Sequence, residues 1–205
     1  MAPAHRLARR DVQQLVKKAI FLCAALVAAL LVSAAPAAAA YNVLLAGGPE
    51  ANSISIWLTP DGREYVIESK VPLEVGGEVC KHLEGNPNAL ACDAPQIASF
   101  EVNSGDGDDL VTAAPTVLVP LTVRAGPGND VAVGGHAADK MIGGIGDDRL
   151  LGGAREDALY GGPGADVLRG GFGNDLLIGG PGPDELYGGP GTNQLHQHER
   201  KAKPR

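Results

Sequence analysis

Aromatic residues are scarce in this 205-residue sequence, at 4%. That argues against a large globular core built on rings. Glycine is absent from residues 1–40 and crowded after Ser104, yet its total of 29 is far below the one-third that a collagen helix needs. No stretch within residues 41–205 is long and apolar enough to span a bilayer as a helix. There is no HExxH zinc helix and no GxSxG nucleophile turn. Basic charge is also short: the formal net charge is −7.

The first 40 residues read as an export segment. Arg6, Arg9, Arg10, Lys17 and Lys18 precede a 14-residue apolar run, Ala19 to Val32, and then SAAPAAAA. Basic, apolar, small is the order of a secretory signal peptide, with cleavage expected after Ala40. The alternative is an uncleaved N-terminal anchor, for which 14 apolar residues are short. Cleavage would remove 5 of 17 basic and 1 of 24 acidic residues, leaving a net charge of −11. Such a body is unsuited to nucleic acid and suited to cations. Cys23 leaves with the signal. The even pair that remains, Cys80 and Cys92, reads as one disulfide in an oxidising compartment.

From Ala125 the chain divides every nine residues without a gap: AGPGNDVAV, GGHAADKMI, GGIGDDRLL, GGAREDALY, GGPGADVLR, GGFGNDLLI, GGPGPDELY, GGPGTNQLH. Positions one and two are glycine in 15 of 16 cases, position six is Asp in seven of eight frames, and position eight is always apolar. A separate copy, SGDGDDLVT, stands at 104–112. Glycine admits backbone angles closed to other residues, so tight bends can turn carbonyl oxygens inward. The Asp adds a hard anionic oxygen, and Ca²⁺ takes six to eight oxygens in flexible geometry. One bend cannot supply that many.

The pattern resembles the RTX, or haemolysin-type, calcium-binding repeat GGxGxDxUx. The resemblance implies an all-β fold, a parallel β-roll in which six residues turn, three form a strand and two repeats make one coil. It implies Ca²⁺ as the cofactor. Every second loop would then stack on the same edge. One edge takes Asp130, Asp148, Asp166 and Asp184, each with its position-four glycine. The phase of the outlying copy adds Asp109 beneath Asp130. Five stacked loops leave about four good sites. The other edge takes Asp139, Asp157 and Asp175; Ala137 and Arg155 replace its glycine and Asn193 its fourth Asp, so weaker sites are expected. Arg155 has two readings: a solvated side chain, or a guanidinium standing in for a calcium among Asp139, Asp157 and Asp175.

Residues 41–103 alternate polar and apolar at 53–58, 63–68 and 97–102, which predicts short strands. By the resemblance this β-rich lead caps the solenoid or adds its first rungs, with Trp57 and Phe100 in its core. The expected organisation is a signal peptide (1–40), a capping segment (41–103), a β-roll (104–196) and a basic tail (197–205). His196, at the end of the roll, and His198, in the tail, read as solvated rather than as a metal-gripping pair. The expected function is a secreted calcium-binding protein whose roll folds on extracellular Ca²⁺, without enzyme activity and off the membrane once the signal is removed. A calcium-rigidified adhesion module is the alternative.

Overall fold

The computed structural model describes residues 41–70 and 79–197. The export segment and, apart from Gln197, the basic tail lie outside the described residues. Among the described residues, no helix is long and apolar enough to cross a membrane.

Each nonapeptide contributes a short strand from its last three positions. These are β9 (Val131–Val133), β10 (Lys140–Ile145), β11 (Arg149–Ala154), β12 (Ala158–Tyr160), β13 (Val167–Phe172), β14 (Leu176–Ile178), β15 (Glu185–Tyr187) and β16 (Gln194–His196). Together with β8 (Leu121–Pro127), they fall alternately into two parallel sheets. Met141 pairs with Leu159 and Leu159 with Leu177 in one sheet; Leu150 pairs with Leu168 and Leu168 with Leu186 in the other. Partners are thus two repeats apart, so two repeats make one coil and the fold is a parallel β-roll.

The strand period of two explains the choice of residues. Position eight points inward, while positions seven and nine face out. Val123, Met141, Leu159 and Leu177 share one core with Ala132, Leu150 and Leu168, and all seven are at 0% exposure. Burying one such aliphatic side chain stabilises by roughly 1.5–3 kcal/mol at most. With one per nine residues the core is thin, and ordering the glycine-rich bends costs about 1–2 kcal/mol per residue.

The lead supplies rungs of the same sheets. β1 (Tyr41–Ala46) runs parallel to β6 (Ile97–Asn103), and β6 to β8. β2 (Ser53–Leu58) runs parallel to β7 (Leu110–Ala113), and β7 to β9. Between β2 and β6 the chain leaves the solenoid. β3 (Glu64–Ser69), β4 (Cys80–Leu83) and β5 (Asn86–Asp93) extend one sheet antiparallel in the order β2-β3-β5-β4, and a 3₁₀ turn at Ala94–Gln96 leads back. Cys80 faces Cys92 across β4 and β5, and the two are disulfide-bonded. Closing a loop of that length stabilises by about 2–3 kcal/mol when unstrained.

The lead core is richer than that of the roll. Phe100 is fully buried and meets the Tyr65 ring edge-on at 5.2 Å, alongside buried Leu45, Ile54, Ile56, Ile67 and Leu90. Trp57 differs from expectation. It is half-buried, because Ile54 and Ile56 take the inward positions of β2 and leave it on the outer face. At the opposite end the stack opens: Leu195 on β16 is 49% exposed.

Candidate metal centre

The six-residue bends between strands stack along two edges. Loops 104–109, 125–130, 143–148, 161–166 and 179–184 form the first edge; loops 134–139, 152–157, 170–175 and 188–193 form the second. In both, the position-six carboxylates make a ladder. The N–H of Asp109 donates to Oδ1 of Asp130, Asp130 to Asp148, Asp148 to Asp166 and Asp166 to Asp184, at 2.8–3.1 Å. On the second edge Asp139 donates to Asp157, Asp157 to Asp175, and Asp175 to Oδ1 of Asn193.

One oxygen of each carboxylate is therefore used in stacking. The other, Oδ2, is buried and has no hydrogen-bond partner among the described residues in Asp109, Asp130, Asp148, Asp157, Asp166, Asp175 and Asp184. Among the described residues, no other Asp or Glu is buried apart from Asp139. A buried carboxylate oxygen without a donor is costly unless a cation meets it. Glycine at position one makes the room. A Cβ on Gly143 would lie 2.1 Å from Asp148 Oδ2 and 2.7 Å from the Gly161 carbonyl oxygen. The same convergence recurs at Gly152, Gly161 and Gly170, on both edges.

Burial is the main force on these groups. It pushes Asp130, Asp139 and Asp166 up to about 6, and Asp148 and Asp157 up to about 7, from an ordinary 3.8. Donated backbone N–H groups oppose the rise. Neighbouring carboxylates add to it, Asp130 and Asp166 acting on Asp148, and Asp139 and Asp175 acting on Asp157.

Asp139 stands apart. Its Oδ2 accepts the Gly135 N–H at 2.9 Å, so both of its oxygens are satisfied by protein. In the other seven frames the position-two glycine has φ between 87° and 132°; Gly135 has no such angle. Its loop rests on the irregular segment 114–120, where Val117 takes the His136 N–H, and the position beneath Asp139 is Leu121 rather than an Asp. Arg155 is the only non-glycine among the described residues with positive φ, 75°. Its Nε donates to the His136 carbonyl at 3.3 Å, and it pairs with no carboxylate among the described residues.

Two further features escaped the sequence reading. Position five carries a second ladder, in which Asp108, Asn129 and Asp147 accept the N–H groups of Asn129, Asp147 and Ala165. Loop 47–52 also stacks under loop 104–109, with the Asn52 N–H on Asp109 Oδ1 at 2.6 Å. Its pattern, GGPEANSIS, has Asn in place of Asp and stands 57 residues before the next copy, which hides the period. His196 is exposed on β16, and His198 lies outside the described residues.

No three His, Cys, Asp or Glu side chains among the described residues converge on one point, so any ion must draw on backbone carbonyls as well. A parallel β-roll with buried, unpartnered carboxylate oxygens at glycine-lined bends defines a repeat scaffold for a hard cation. Residues 122–150, 142–177 and 170–196 match the model of the RTX calcium-binding nonapeptide repeat. The repeat region is of that calcium-binding RTX type. No curated protein and no solved structure matches the chain.

Proposed function

We propose that this is an exported calcium-binding protein whose roll orders when calcium reaches it. The observation that carries the reading is the row of buried Oδ2 atoms, seven of them without a donor. When bound, the ion supplies positive charge between successive bends. The chain supplies the rest: Asp109, Asp130, Asp148, Asp166 and Asp184 on the first edge, Asp157 and Asp175 on the second, and the glycine carbonyls beside them. Asp139, already satisfied by Gly135, is left out of the set. Hard oxygen donors in a pliable glycine backbone suit Ca²⁺ over Mg²⁺, which demands tighter octahedral geometry. Export is supported by the basic, apolar, small order of residues 1–40 and by the Cys80–Cys92 disulfide.

Extracellular calcium sites bind at about 10⁻⁴–10⁻³ M, which would leave the roll unformed before export and formed after it. The test is far-UV circular dichroism of the protein recovered from culture medium during calcium titration, with magnesium as control. Strand signal that rises with calcium and not with magnesium is expected. A full signal in excess chelator, with no metal retained, would refute the reading.

A further inference from the structure

Loop 47–52 stacks on loop 104–109 as the later bends stack on one another, but Gly48 lacks the positive φ of most position-two glycines, Glu50 replaces the position-four glycine, and Asn replaces Asp at position six. Asn52 is 3% exposed and occupies position six. Its side-chain Nδ2 stands where Oδ2 stands in the aspartates. It donates to the carbonyls of Glu50 at 2.5 Å, Ser104 at 2.9 Å and Gly48 at 3.2 Å and lies 3.2 Å from Asp109 Oδ1, while Asn52 Oδ1 is buried without a donor among the described residues. In the aspartate loops the equivalent atom is an acceptor that faces carbonyl acceptors, which is the arrangement that calls for a cation. The amide brings its own protons to the same oxygens. Asn193 makes a partial version of the contact at the far end of the second edge, with Nδ2 on the Gly189 carbonyl at 2.9 Å.

We infer that Asn52 replaces the metal at the first rung, so that β1 and β2, joined by loop 47–52, and β6 and β7, joined by loop 104–109, form a calcium-independent seed on which the metal-dependent coils assemble. The inference rests on the calcium reading of the later loops and adds where order begins. The lead can hold itself together in a way that the repeats cannot. It has Phe100, Tyr65, Ile54, Ile56, Ile67 and Leu90 in one core and the disulfide beside it. Solenoid coils gain most of their stability from their neighbours, so a coil that is already ordered removes the cost of starting the stack. It also presents one hydrogen-bonding edge of β6 and of β7 as a template, and β8 and β9 pair there in register. Assembly then runs from the N-terminal rung toward Leu195.

Hydrogen exchange on the intact chain tests this, in chelator and in calcium. In chelator, amides of 53–58 and 97–103 should stay protected while those of 131–196 exchange freely; calcium should protect both. Equal, rapid exchange of both regions in chelator would overturn the seed and leave the calcium reading standing. Equal protection of both in chelator would overturn the calcium reading, and the seed with it. Asn52→Asp restores the missing oxygen: it should bind one more calcium ion per chain by equilibrium dialysis and lose the chelator-resistant protection. Asn52→Ala removes the amide without adding charge. It should bind no extra ion and lose roughly tenfold or more of the protection at 53–58, the scale of a buried amide's hydrogen bonds. Unchanged ion count in the Asp variant together with unchanged protection in both variants would overturn the assignment.

Discussion

The two edges of the roll carry one motif and treat it differently. On the first edge every position-six aspartate keeps a bare Oδ2. On the second, Asp157 and Asp175 do the same while Asp139 is satisfied by Gly135. The difference does not follow the loss of the position-four glycine. Arg155 lacks that glycine, adopts a φ of 75°, and its loop still leaves Asp157 Oδ2 free. What separates loop 134–139 is the surface beneath it. The irregular segment 114–120 offers no motif loop to stack on, the Gly135 peptide takes another angle, and its N–H turns onto the carboxylate. A site here is a property of two stacked bends rather than of one consensus sequence.

The largest effect that could sharpen this comparison is protonation. Five of the ladder carboxyls lie at about 6 to 7 in the fold against an ordinary 3.8. Raised values mean that the folded state holds protons that the unfolded chain releases. Their contribution to stability is fully present below about 3.8 and is lost as pH rises through 6 and then 7. The metal-stripped chain should therefore be more ordered at pH 4.5 than at pH 8 by circular dichroism, and apparent calcium affinity should weaken as pH falls from 8 to 5. Greater order of the metal-free chain at pH 8 would contradict the burial of these groups.

Next comes backbone space. Gly146 has φ of 138°, and a Cβ there would sit 1.8 Å from the Gly128 carbonyl oxygen. Gly146→Ala must push two coils apart on the first edge. It should cost several kcal/mol, well beyond the ordinary ~1 kcal/mol of a single substitution. Thermal melts in saturating calcium measure it, and a melting temperature equal to the wild type would show that the bends have slack.

A smaller contrast compares the edges directly. Asp148→Asn should reduce the number of calcium ions bound per chain, because it removes the charge from a bare Oδ2. Asp139→Asn should leave that number unchanged and cost about 1 kcal/mol through its hydrogen bonds. Equal losses from both, by equilibrium dialysis, would erase the distinction drawn between the edges.

Much of this was legible in the nine-residue period. The period separated the two edges, and the inward position eight named Met141, Leu150, Leu159, Leu168 and Leu177 as core. The strand at 53–58 could be read from alternation alone. Three things were not legible. The 38 residues between β2 and β6 break the period, so GGPEAN did not register as a rung. Ala137 and Arg155 looked like equal defects, because consensus spacing says nothing of what lies beneath a loop. Trp57 looked like core because ring size suggests burial, whereas strand parity decides it.

The smallest expected effect tests the one residue that the sequence left with two readings. Arg155 in the left-handed region costs about 1 kcal/mol relative to glycine. Arg155→Gly relieves that, but it adds about 0.5–1 kcal/mol of unfolded-chain entropy and removes the exposed hydrogen bond to the His136 carbonyl, worth about 0.5 kcal/mol or slightly more. These nearly cancel, so stability should move by less than about 1 kcal/mol. Calcium stoichiometry should not move at all, since the guanidinium pairs with no carboxylate among the described residues and Asp157 Oδ2 is bare with the arginine in place. A gained calcium in Arg155→Gly would mean that the guanidinium had been doing the ion's work among Asp139, Asp157 and Asp175, and the second edge would then owe its difference to charge rather than to the loop beneath it.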